Sequence, residues 1–240
     1  MEVLLLAVIG LPVGLVLDAL VVRLAVRAED RGEAEDEDVP APEPGLGHSE
    51  AGSLVLEAAP AQHVWLRRLL ITSATILLFA LAGAQYGDVA HLPIVTAYLS
   101  VLIVCAGTDI LSFRVPNAVT YPAIVAALAI GIAMPDANAL EVLAGGLLAG
   151  GVLLLPSLLT GGIGMGMGDV KLATFVGLSL GFTNVVPAML VMALLGGAVA
   201  VFLLLTGLRK RGEPIPYAPF ISAGGMVALL SQGTAFALVG

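Results

Sequence analysis

Residues Leu92 to Asp109 read LPIVTAYLSVLIVCAGTD, eighteen residues of which only the last is charged. Wound as a helix, such a stretch is about 27 Å long, close to the roughly 30 Å of hydrocarbon in a bilayer. Comparable runs lie on either side, at residues 3–24, 67–86, 118–134, 139–160, 185–207 and 218–239, with a shorter one at 169–183. All are rich in Leu, Val, Ala and Gly and show no sustained alternation, which favours helices over a membrane barrel. The composition agrees: 59% of the 240 residues are apolar, 12% are charged, and the mean hydropathy is +1.04. An average soluble domain is about 45–50% apolar and about 25% charged. A water-soluble globular enzyme is therefore excluded, and the expected fold is an all-α polytopic membrane protein of eight spans.

The basic residues set the expected orientation. Arg23, Arg27, Arg31, Arg67 and Arg68 flank the first long loop, Arg114 follows the third span, and Lys171 opens the short sixth one. Arg209, Lys210 and Arg211 follow the seventh. With eight spans all ten bases fall on one face, which the positive-inside rule makes cytoplasmic. Omitting the short span would strand the Arg209 cluster on the other face, so the charge pattern itself supports that span. Both termini are then expected outside. The first run carries Glu2 and has its arginines after the apolar stretch, so it is read as a retained span and not as a secretory signal.

Net charge is −8, but ten of the eighteen acids lie between Glu29 and Glu57. The acidic balance thus describes one loop, which with Pro40, Pro42, Pro44 and Pro60 has the composition of a disordered cytoplasmic linker. His48 and His63 have no partner at metal-ligand spacing, and Cys105 is the one cysteine, so neither a metal site nor a disulfide is expected. No basic face or aromatic-rich strand supports nucleic-acid binding. Residues 1–90 read as an amino-terminal region of two spans and the acidic loop; residues 91–240 read as a core of about six spans.

Outside the loops, Asp18, Asp109 and Asp169 remain within or at the ends of spans. Such groups are costly in hydrocarbon and are functional candidates by default. Asp109 closes the third span and Asp169 opens the sixth, so two crossings return the chain to the same border. Two aspartates at one depth without metal ligands suggest a pair that shares a proton, one activating water and the other protonating the leaving group. Asp169 sits at a helix N-terminus and Asp109 near a C-terminus. The dipoles therefore make Asp169 the expected anion and Asp109 the proton carrier. Asp18 lies mid-span near Arg23 and is expected to play a structural part, by snorkelling or by pairing with it.

Gly161, Gly162, Gly164, Gly166 and Gly168 leave exposed backbone before Asp169, where an extended peptide could pair by strand addition. A phosphate loop is excluded, since no Gly-Lys-Ser/Thr ending or βαβ unit is present. Gly145-Gly146 and Gly196-Gly197 read as close helix packing.

These residues resemble a known family, the type IV prepilin peptidases among the GxGD membrane aspartyl proteases. Gly166-Met167-Gly168-Asp169-Val170-Lys171-Leu172 is similar to the family's GxGD-V-K-L signature. Asp109 followed by Val115-Pro116-Asn117-Ala118-Val119-Thr120 resembles its first-aspartate motif, D-x5-I-P-N-x2-T. Pro216-Tyr217-Ala218-Pro219-Phe220 resembles the element before its last span. Gly10, Gly14, Asp18 and Arg23 resemble its amino-terminal G-x3-G-S-F-x-N-x4-R stretch, with Asp where Asn is usual.

The resemblance implies an aspartic endopeptidase that removes the basic leader of prepilin-like or pseudopilin precursors at the cytoplasmic face of the bacterial inner membrane. Asp109 and Asp169 would be catalytic, while Pro116, Asn117, Gly166, Gly168 and Lys171 would shape the substrate-binding loops. Bacterial members often also methylate the new amino terminus and carry two CxxC zinc pairs in the first cytoplasmic loop. Here that loop contains no cysteine, so no zinc or other cofactor is expected, and methylation is not carried over. The acidic loop is an expected attractant for a basic leader. The rival reading from residues alone is a carboxylate-relay transporter or channel; a further one is an inactive family member serving as an assembly factor.

Overall fold

The computed structural model describes residues 2–37, 61–86, 91–159, 166–207 and 215–235. These form seven helices and no strand: α1 (Glu2–Glu37), α2 (Ala61–Gln85), α3 (Leu92–Ser112), α4 (Asn117–Ala133), α5 (Ala139–Leu159), α6 (Met167–Leu205) and α7 (Ala218–Ser231). The all-helical, polytopic expectation holds. Large apolar side chains cover the outside, with Leu147 at 76% and Leu205 at 83% exposure, a surface suited to lipid and not to water. Small residues and a few polar ones face inward. His48 and the Arg209 to Arg211 cluster lie outside the described residues, as do Gly161, Gly162 and Gly164.

Helix length and composition do not by themselves confirm a count of eight spans. Among the described residues five helices are long and apolar enough to cross a membrane, while α4 and α7 are shorter apolar helices of 17 and 14 residues. The sixth and seventh expected spans are joined within α6, whose regular geometry breaks at Gly181 (φ 75°, ψ 173°). Ala173 and Val176 before the break line one small cavity with Val185, Ala188 and Met192 after it. A straight 39-residue helix, about 58 Å long, could not bring those residues together. The chain therefore doubles back at Gly181, near the junction between the expected runs 169–183 and 185–207. Glu141 of α5 accepts hydrogen bonds from the Thr183 N–H and hydroxyl, both at 3.2 Å, and so caps the returning arm.

Close backbone approach holds the helix pairs together, as is usual where lipid surrounds the bundle. A methyl group on Gly10 would lie 2.9 Å from Ile76 Cα, and one on Gly14 would lie 2.8 Å from Thr72 Cα, so α1 and α2 pack antiparallel. On α5, Gly145 abuts the backbone of Gly177 and Gly181, and Gly146 receives Leu178. The expectation for Gly145-Gly146 is met. Gly197 departs from expectation, having nothing within 4 Å of where its side chain would be. The core lies between α3, α6 and α7, with Leu99, Leu102, Leu172, Phe175 and Leu229 fully buried. That wedge presents the end of α3 to the starts of α6 and α7.

Candidate active site

Asp109 occupies the last turn of α3 and is 5% exposed. The helix ends at Phe113 in a left-handed conformation (φ 50°), an unusual state for a side chain of this size. Arg114 to Pro116 then run on to α4, which starts at Asn117. Asp169 lies in the first turn of α6, third after the extended residue Gly166. A methyl on Gly168 would sit 2.9 Å from Val115 Cβ, so the segment after Asp109 packs directly on the glycines before Asp169.

Lys171 fastens the same two segments. Its Nζ donates a 2.9 Å hydrogen bond to Asn117 Oδ1 and stands 4.7 Å from the centroid of the Tyr121 ring. The third segment arrives with α7, where the backbone N–H of Ala218 donates to Asp109 Oδ2 at 3.0 Å. Val115 on Gly168 and Lys171 on Asn117 thus bring the segments that carry the two carboxyls against each other. Asp169 Oδ1 is buried and has no hydrogen-bond partner among the described residues. Two carboxyls so disposed can hold one proton between them and exchange it with a bound water or carbonyl.

Several expectations about partners change. Asp18 pairs across to α2, with Arg67 Nε at 2.8 Å and Arg68 Nε at 3.3 Å, and not with Arg23, which is exposed. Arg114 Nη1 donates to the Ala28 carbonyl at 2.9 Å. The dipole argument from sequence placed only Asp169 at a helix N-terminus; Asp109 Oδ2 also meets one, that of α7. Sequence reasoning missed the Ala218 amide and the Tyr121 ring, a backbone group and a packing partner with no signature of their own. Among the described residues no cluster of His, Cys, Asp and Glu is arranged to hold a metal ion.

Comparison with known proteins now adds to this geometry. Residues 96–201 match the model of the type IV leader peptidase family. The chain is 34% identical over 163 residues to a prepilin leader peptidase/N-methyltransferase of Bacillus subtilis, covering 65% of this chain and 62% of that protein. It is 31% identical over 174 residues to the Burkholderia pseudomallei protein of the same name, covering 71% and 56%. Over residues 96–201 the chain is similar to the type IV leader peptidase family. The stretch matched to the family spans Asp109, Asn117, Asp169 and Lys171. An Aeromonas hydrophila prepilin leader peptidase/N-methyltransferase is 37% identical over 73 residues, covering 30% of this chain and 25% of that protein. The chain spans about three fifths of the length of the first two relatives it matches. No solved structure matches it.

Proposed function

We propose that this chain is a type IV leader peptidase family member and an aspartyl endopeptidase that cleaves the leader from prepilin-like or pseudopilin precursors. The observation that carries the reading is the packing of the segment after Asp109 on the glycines before Asp169, Val115 against Gly168, tied by Lys171 to Asn117. One carboxylate removes a proton from water, whose oxygen bonds to the scissile carbonyl carbon while the second carboxyl protonates the carbonyl oxygen. Collapse of the gem-diol breaks the C–N bond and delivers a proton to the leaving nitrogen. Val115 against Gly168 and Lys171 on Asn117 hold the two segments in register, so that neither carboxyl is free to drift.

The charge distribution supports a cytoplasmic-face site in a bacterial inner membrane. Arg67 and Arg68 open α2, Arg114 follows α3 and Lys171 opens α6, at the helix ends that also bear the aspartates. A basic leader would arrive on that side, next to the acidic linker. The division into residues 1–90 and a peptidase core of 91–240 belongs to this proposal, with α1 and α2 bracing α3. No methylation is included.

Co-expression with a candidate precursor, followed by mass spectrometry of its amino terminus, tests the reading. Wild type should release the leader, whereas Asp109→Asn and Asp169→Asn should leave it attached. Continued processing by both variants would overturn the aspartyl assignment and revive the transporter reading. An added mass of about 14 Da on the product, one CH2, would restore methylation.

A further inference from the structure

The first turn of α7 has an unusual donor inventory. A helix start normally leaves several N–H groups unpaired. Here Pro219 has none, and the N–H groups of Phe220 and Ile221 both return to the Tyr217 carbonyl, at 3.0 and 3.2 Å. That leaves the Ala218 N–H as the one outward donor of the turn, and Asp109 Oδ2 takes it at 3.0 Å. The segment Pro216 to Phe220 thus presents a single amide, at the positive end of a 14-residue helix, to one carboxylate oxygen.

Asp169 is held less fully. Its Oδ2 side lies beside Gly166, and the start of α6 adds a dipole of its own. Both aspartates therefore meet a helix start, and the asymmetry expected from sequence disappears. What distinguishes them is Asp169 Oδ1, buried without a partner among the described residues. An unmade hydrogen bond costs more on a charged oxygen than on a neutral one. Apart from Asp169, the titratable group that responds to the Asp109 charge is Cys105, one turn back on α3. From α1, Val21 packs against Gly107, and the Ala28 carbonyl accepts from Arg114.

We propose that the Ala218 amide is a positioning group that keeps Asp109 as the ionised, water-activating member of the pair, and that Asp169 holds the shared proton. The inference rests on the proposed peptidase reading and reverses the assignment that sequence alone gives. Asp109 takes a proton from water as the oxygen attacks, and Asp169 gives its proton to the carbonyl oxygen. On collapse, one hydroxyl proton of the gem-diol returns to Asp169 and the proton on Asp109 passes to the leaving nitrogen.

The experiment uses the full chain in nanodiscs with a precursor that it cleaves and that both Asn variants do not, which secures the peptidase reading first. The wild type is then treated with a small aryl-ether epoxide, which a carboxylate opens to form an ester, and the labelled aspartate is mapped by mass spectrometry. Esterification of Asp109 with loss of cleavage is expected; esterification of Asp169 in its place overturns the assignment. Separately, lactic acid in place of Ala218 replaces the donor N–H by oxygen and keeps the chain geometry. Loss of a hydrogen bond to a charged group should move the acidic limb of the kcat/KM profile to higher pH by about one unit. A limb that stays in place overturns the role of the amide, whatever the change in rate.

Discussion

Lys171 Nζ and Asn117 Oδ1, 2.9 Å apart, join the first turn of α6 to the first turn of α4. The bond spans 54 residues of sequence and sits beside Asp169, so it fixes where α6 begins relative to the segment that follows Asp109. The Tyr121 ring under the ammonium adds a contact that Asn117 alone would not supply. Lys171→Met removes both the donor and the cation. A bond of this kind contributes about 1 kcal/mol, and the cation–π contact about 0.5–1 kcal/mol. Leader release should slow by roughly tenfold in kcat/KM if both are lost from the transition state. Lys171→Arg should recover only part, because a planar guanidinium does not fit a site built for a compact ammonium. Unchanged kinetics in Lys171→Met would show that the tie does not position the dyad.

Asp18 offers a contrasting test, since its partners are structural. The carboxylate is fully buried between α1 and α2 and binds two arginines, one of them more than half exposed. Removing the carboxylate leaves two cations facing apolar helices, a change that costs about 3–5 kcal/mol for a fully buried pair and less where water reaches the arginines. Asp18→Ala should lower the thermal unfolding temperature in detergent. Arg67→Leu in the same chain should recover part of the loss, because the unpaired charge is then gone. Cleavage measured well below the transition should be retained. An Asp18→Ala chain of normal stability that fails to cleave would place Asp18 in the chemistry instead.

The Asp18 pairing also shows what sequence can and cannot convey. Arg23 is close in sequence, but five residues round a helix points about 140° away, so the two cannot face each other. Arg67 and Arg68 face Asp18 because Gly10 and Gly14 let α2 lie against α1 in antiparallel register, and helix pairing carries no sequence label of its own. The spans were legible because hydrophobic length is a solvent requirement. The position of the Gly181 reversal was legible too, because ten basic residues must share one face. Asp109 and Asp169 could be found as costly charges at one border. The Ala218 amide could not, since every residue but proline has one.

Glycines at the α5–α6 contact give a paired prediction. A methyl on Gly145 would come within 2.6 Å of the Gly181 carbonyl carbon, whereas Gly197 has nothing within 4 Å. Gly145→Ala must push two backbones apart and should destabilise strongly, by about 1–3 kcal/mol or more as overpacking does. Gly197→Ala should be neutral, or stabilising by up to about 1 kcal/mol, because alanine restricts the unfolded chain and favours a helix. Thermal unfolding of the two variants side by side decides this. A similar loss in both would mean that Gly197 is packed against something in the membrane.

Gly181 makes the last prediction the sharpest for the fold. Its φ of 75° with ψ of 173° lies in a region that only glycine enters readily, and the two arms of α6 separate there. Gly181→Ala forces a methyl 3.2 Å from the Ala235 side chain as well as the unfavourable backbone. Together these should cost about 1–3 kcal/mol or more. Glu141→Gln weakens only the cap on Thr183, since the amide oxygen still accepts, and should cost much less. The reversal can also be read directly by attaching spin labels at residues 174 and 190, on the two arms. Folded back at Gly181, the labels should be well under 20 Å apart; in a straight helix the backbone alone would separate them by about 24 Å. A distance matching the straight helix would remove the hairpin, and with it the placement of the basic residues on one face.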